Sequence, residues 1–302
     1  MGCCVGEKLS NWCEEYGIVY IDAAGKEYCI FHAPADCKLT ELYDERKGGD
    51  KPDLMEAEQF NGLVFARIDG VIEAGVDEKR DEWDHTQLLF KTWSPRCDFS
   101  YAILPFAITF SKYNNRDKNQ LPPINFIGSQ FWSNAKFKKS QFCGDADFSN
   151  SHFSEVTDFD NTQFNGNSYF YDSQFSKDTS FISSKFNGHV VFYSSQFKGY
   201  TYFTSSQFSG DADFTRSQFN AKAYFSRSHF NGKADFSESL LKEDADFSDV
   251  KIQKQAIFTD VKFIKSNFDQ MEFNGPVYFD NTIFENEASF KNTIFHDYSH
   301  FE

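Results

Sequence analysis

The residues of this chain whose types and spacing point to chemistry are cysteines and one histidine near the start. Five of the seven cysteines, Cys3, Cys4, Cys13, Cys29 and Cys37, fall within the first 37 residues, while Cys97 and Cys143 stand apart. Cys29 and His32 form a C-x-x-H pair, and Cys4 and Cys13 precede it. Thiolate sulfur and neutral imidazole are the donors a tetrahedral zinc ion takes, and two short segments can supply all four. The expected ligand set is Cys4, Cys13, Cys29 and His32. The spacing is looser than in a standard zinc finger, so Cys3 and Cys37 are alternatives. The competing reading is a group of reduced, partly buried thiols beside a surface histidine. An odd number of cysteines gathered at one end is no disulfide framework for the whole fold. The opening MGCCVGEKLSNWCEEYG has no apolar stretch of a secretory signal, and position 6 is Gly where a myristoylation signal wants Ser or Thr. No apolar run approaches the ~18 residues of a membrane span. A reducing, cytoplasmic location is therefore expected, where clustered cysteines more often bind metal than pair.

Two local elements must position these donors. GIVYIDAAGKEYCIF alternates around an Ala-Gly turn and reads as a β-hairpin delivering Cys29 at its end. Residues 53–74 carry helical spacing at Leu54, Phe60, Val64, Ile68 and Ile72, with Asp53 as the expected N-cap. Residues 1–93 are thus expected to form a small α+β segment, stabilised by the metal because it is too short to bury a core of its own.

The rest of the chain reads differently. Phe is the anomaly, 38 residues against 3 Met and 4 Trp. From Phe126 to Phe236 it recurs at alternating spacings of five and six, as in SQFSGDADFTR. Leu241 and Ile252 then take two Phe positions. The register slips by one residue at Phe268 and Phe273 and resumes from Phe279 to Phe301. Two residues before each Phe stands a small or β-branched residue, such as Ser140, Ala146, Ser151 and Thr157. Residues two apart face the same side of an extended segment. A helical stripe would show spacings of three and four instead. Each piece therefore points one Phe and one small residue inward and turns a corner with the rest. Gly144, Gly166, Gly188, Gly210 and Gly232 recur every twenty-two residues, which sets four sides per coil. The Gly corner is expected to be the bulged one, where φ > 0 is cheap.

The expected fold is a right-handed quadrilateral β-helix over 94–302, irregular in its first coil (94–123) and regular over 124–302. Phe99, Leu104 and Phe110 keep the rhythm in that first coil, and 112–123 is expected to loop out of it. About eight coils at ~4.8 Å each make a rod of roughly 40 Å. Phe148, Phe170, Phe192, Phe214 and Phe236 should form one of four interior columns. Each ring buries on the order of 150–250 Å², which lets a chain with mean hydropathy −0.56 fold. A Gln ladder (Gln130, Gln141, Gln163, Gln174, Gln196, Gln207, Gln218) should lie outside, with amides bonding coil to coil and His152 and His229 as substitutes.

These units, of the form ADF-S-x-S-x-F with a small residue two before each Phe, resemble the pentapeptide-repeat proteins, in the branch with alternating five and six spacing. The resemblance covers roughly residues 124–302. It implies a non-enzymatic scaffold. It also implies a cysteine-rich start ending in CIFH, as at Cys29–His32, which supports zinc as the cofactor. Some members of the family act on type II topoisomerases as DNA mimics.

The residues themselves favour the first of these functions. The outward acids Asp147, Asp158, Asp213, Asp235 and Asp246 show no sign of the burial that tunes an acid–base pair. No phosphate loop or nucleophile motif is present. The formal net charge of −15 argues against direct nucleic-acid binding. DNA mimicry is the alternative, but Lys138, Lys185, Arg216, Lys222 and Arg227 interrupt every acidic stripe. The expected function is protein–protein interaction through a flat face dotted with aromatics, with the partner itself unnamed by the sequence. The last units keep the repeat to Phe301, so Phe290, Phe295 and Phe301 are expected to form an association end and pair two rods as an end-to-end homodimer.

Overall fold

The computed structural model describes residue 13 and residues 16–35, 55–74, 97–110 and 120–302. The chain divides into two compact units, Met1–Ile103 and Leu104–Glu302. The division falls after Ile103 rather than after residue 93, because residues 97–103 pack with the first unit. Phe99 meets Phe31 at 5.9 Å, and the Ile103 N–H donates to the Phe31 carbonyl at 2.8 Å.

In the first unit, strands β1 (Tyr20–Ile21) and β2 (Glu27–Tyr28) pair antiparallel, as the alternation predicts. Asp22 closes their connection. Its Oδ1 accepts from the Ala24 and Lys26 N–H groups, both at 2.9 Å, and Gly25 supplies the left-handed turn at φ 78°. Helix α1 runs over Ala57–Ala74 and buries Phe60, Val64, Ile68 and Val71 along one face. It starts later than residue 53. The Gln59 side chain accepts from the Glu56 N–H at 3.2 Å, so Glu56 takes the cap position in the manner of a capping box. The expected cap Asp53 lies outside the described residues.

The second unit is a β-solenoid of about eight turns and ~22 residues per coil. Each side is a two-residue strand in parallel register with the strand twenty-two residues on, as in Ala146↔Ser168 and Phe153↔Phe175. The interior is the expected one. Phe148, Phe170, Phe192, Phe214 and Phe236 are fully buried. They stack at 5.1, 4.7, 5.0 and 4.8 Å with ring planes within 9° of parallel. Rings of the neighbouring column meet them edge to face, as Phe159 meets Phe148 at 5.6 Å and 79°. Both are favourable aromatic geometries.

The slip at Phe268 is a single missing residue at one corner. Leu240–Asp246 and Lys262–Asn267 run round that corner as continuous strands, and their register shifts between Leu241 and Asp244. The column carries on: Phe247 stacks on Phe268 at 5.3 Å and Phe268 on Phe290 at 4.8 Å.

Three expectations need correction. First, the opening loop is shorter than 112–123. Gln120–Leu121 is already a side of the coil, paired with Gln141–Phe142, and Leu121 is fully buried in a Phe position. Residues 111–119 lie outside the described residues. Second, φ > 0 does not occur at Gly144, Gly166, Gly188, Gly210 or Gly232. It falls on non-glycine residues of the five-residue corners, among them Lys139, Asn150, Asn161, Ser194 and Arg216, at φ 55–62°. Each occupies the third place of a turn such as Phe137–Ser140, whose Ser140 N–H donates to the Phe137 carbonyl at 2.9 Å. The periodic glycines answer close approach instead: a Cβ on Gly210 would lie 2.5 Å from the Gly188 carbonyl oxygen one coil below. Third, the outward Gln residues form no amide-to-amide ladder among the described residues. Gln163 turns to Asn165 Oδ1 at 2.7 Å within its own coil, and it is Asn187 that bonds to Asn165 across coils, at 3.0 Å. His152 does stand in register between Gln130 and Gln174.

The small residues face inward as expected, and most of those inside the five-residue spacings are hydroxylic for a reason beyond size. Thr162, Ser173, Ser184, Ser206 and Ser217 each donate to a Phe carbonyl of the coil below, at 2.6–2.8 Å. Ser184→Ala should therefore cost about 1 kcal/mol in urea unfolding. An unchanged midpoint would show that the hydroxyl is there for space alone.

At the far end, Phe290 is half-buried, while Phe295 and Phe301 are 36% and 56% exposed.

Candidate metal centre

The first unit brings three of the expected ligands together. After β2 the chain makes one tight turn, Cys29–His32, closed by the His32 and Ala33 N–H groups donating to the Cys29 carbonyl at 3.1 and 2.9 Å. The three-residue offset puts both side chains on one side of this turn, with Cys29 Sγ 3.2 Å from His32 Nδ1. Cys13 joins them. The donor atoms of Cys13, Cys29 and His32 lie within 4.8 Å of one another, and all three residues are buried. Cys4 and the alternatives Cys3 and Cys37 lie outside the described residues.

A shell of packed groups holds the cluster. Tyr16, near Cys13, meets Phe31 edge to face at 4.8 Å, and Phe31 packs on Phe60 of α1 at 5.6 Å. Arg67 of α1 donates to the Asp98 carbonyl at 3.1 Å and lies over the Tyr16 and Phe99 rings. His32 Nε2 lies 3.1 Å from the Ser100 carbonyl oxygen. A carbonyl can only accept, so Nε2 carries a proton, and in the neutral ring Nδ1 presents its lone pair to Cys29. Sequence reasoning found the three donors but not Ser100, which is 68 residues from His32 and has no motif to mark it.

The two other described cysteines do not join the cluster. Burial pushes the Cys97 thiol up to about 12, which keeps it protonated and inert. Cys143 is exposed on the solenoid. The Cys29–His32 pair has the spacing of a nucleophile and its base, yet Cys29 is fully buried and out of a substrate's reach.

On the solenoid surface several charged groups are tied from coil to coil. Lys138 pairs with Asp160 at 3.2 Å, Arg216 with Glu238 at 2.8 Å, Lys222 with Asp244 at 2.8 Å and Lys251 with Glu272 at 2.9 Å. The aromatics stack likewise. Tyr202 lies on Tyr224 at 5.2 Å, with Tyr200 edge-on to Tyr202 at 6.5 Å and 42% exposed. No described helix is long and apolar enough to cross a membrane.

A four-sided coil with a phenylalanine interior and a small residue before each ring defines a repeat protein of the β-solenoid class. The chain belongs to the pentapeptide-repeat family: the description "Pentapeptide repeats (9 copies)" matches residues 137–185, 159–207, 203–251, 214–262 and 258–302. No curated protein and no solved structure matches the chain.

Proposed function

We propose that the protein is a non-enzymatic scaffold that binds a partner protein through one side of its solenoid. The observation that carries this reading is the tyrosine cluster Tyr200, Tyr202 and Tyr224. Strands of a rigid, parallel ladder hold the Tyr202 and Tyr224 rings in place, with Tyr200 packed edge-on beside them, so little side-chain freedom is lost on binding. Their amphipathic rings suit the desolvated centre of a protein interface. Thr201 and Ala223 alternate with them into the interior, which fixes the direction of the tyrosines outward.

The acidic total supports DNA mimicry less well. Mimicry needs columns of unopposed negative charge, whereas Asp160, Glu238, Asp244 and Glu272 each face a Lys or Arg one coil away. Such exposed pairs add little stability, but they neutralise the columns in which they stand. The test compares the native chain with Tyr200→Ser/Tyr224→Ser in affinity capture from the native host, alongside a gyrase supercoiling assay. A partner held by the native chain and lost by the variant, with supercoiling untouched, is expected. Supercoiling inhibited equally by both chains would replace this reading with mimicry.

A further inference from the structure

We propose that Cys13 Sγ, Cys29 Sγ and His32 Nδ1 hold one zinc ion, which staples separated stretches of the first unit to one another. The donor set is the soft and borderline one that zinc prefers, with no carboxylate in it. The geometry suits the ion. Donors bound at ~2.3 Å (sulfur) and ~2.0 Å (nitrogen) in a tetrahedron lie roughly 3.5 Å apart, and Cys29 Sγ and His32 Nδ1 already stand 3.2 Å apart.

The surroundings fix which histidine nitrogen binds. The Ser100 carbonyl takes the Nε2 proton, the backing hydrogen bond that metal-bound imidazoles make almost everywhere. Histidine therefore binds neutral and through Nδ1. Without the ion, the Cys29 thiol is the donor facing Nδ1. With it, both thiols become thiolates, two protons leave to solvent, and the two charges balance the dication. All three donors are buried, so this neutrality matters: an unbalanced charge there would be costly. The staple joins Cys13, the Cys29–His32 turn and, through the Ser100 carbonyl, the stretch after Cys97. It thus ties three separated stretches of the first unit, whose apolar core among the described residues is small.

The test uses the untagged full chain, purified without chelator. Elemental analysis should give close to one zinc per chain. Cys13→Ser, Cys29→Ser and His32→Gln should each lose most of it, and Cys143→Ser should keep it. Adding zinc to the metal-stripped native chain in weak buffer below neutral pH should release at least two protons per ion. Cobalt(II) in place of zinc should show thiolate-to-metal charge transfer that weakens in Cys29→Ser. The proton release and the cobalt spectrum of the native chain need no variant to fold. No bound zinc, full zinc in Cys29→Ser, or binding without proton release would each overturn the proposal.

Discussion

Phe192→Ala is expected to destabilise the solenoid by about 3–5 kcal/mol. Phe192 is fully buried and stacks between Phe170 at 4.7 Å and Phe214 at 5.0 Å. Phe181 and Phe203 close it from the side, at 5.5 and 5.4 Å edge to face. The cavity left by alanine cannot collapse. The heights of the coils are set by the backbone ladder, in which the Phe192 N–H donates to Asp213 and the Ser194 N–H to Thr215. The upper end of the range for aromatic truncation is therefore expected. Urea unfolding followed by circular dichroism measures the loss. Phe301→Ala provides the contrast, since Phe301 is 56% exposed and should cost far less. Equal losses at the two positions would contradict the interior columns.

Gly210→Ala should destabilise the solenoid by about 1–3 kcal/mol through overpacking. The added methyl would meet the Gly188 carbonyl oxygen at 2.5 Å, its carbonyl carbon at 2.6 Å and the His189 nitrogen at 2.8 Å. These are backbone atoms of a hydrogen-bonded ladder, so they cannot swing aside as a side chain would. Gly232 crowds Gly210 in the same way from the next coil, at 2.3 Å. The effect is one of space and not of conformation, because none of these glycines takes the left-handed region. The comparison variant is Ser205→Gly, at a corner that does take it with φ 60°. Glycine suits that conformation and should be tolerated there. A neutral Gly210→Ala together with a damaging Ser205→Gly would reverse the assignment of the two corner types.

Most of the solenoid was legible because its interior is built from one residue type at a period no helix can produce. The column through Phe148 and Phe192 follows from spacing alone, as does the slip after Phe263. Hydrogen bonding and corner conformation were not legible, because both depend on which coil lies above which. Ser184 reads as merely small until its hydroxyl is seen 2.7 Å from the Phe159 carbonyl. Lys139, Arg216 and Glu238 carry no compositional sign of the left-handed turns they occupy. Gly188 and Gly210 mark their corners by close approach to the coil below and not by a left-handed conformation. Leu121 is not legible as a core position because the two prolines after it read as loop, although the coil resumes at Gln120. Near the start, Cys29 and His32 were legible as a pair because one turn of chain sets their distance. The third donor, Cys13, followed from clustering. The Ser100 carbonyl that orients the imidazole comes from the far end of the same unit, and backbone acceptors leave no trace in a sequence.

The central claim is that twenty-two residues make one coil, and cross-linking between outward positions tests it most directly. Gln174 and Gln196 are register partners in adjacent coils, so their Cα atoms should lie about 4.8 Å apart. Gln174 and Lys185 are eleven residues apart and belong to different sheets. The full chain carrying Gln174→Cys/Gln196→Cys, treated with a short bis-thiol reagent and mapped by mass spectrometry, should link 174 to 196 nearly completely. The chain carrying Gln174→Cys/Lys185→Cys should not link those two positions. Efficient linkage of the 174–185 pair, or none of the 174–196 pair, would contradict the twenty-two-residue coil.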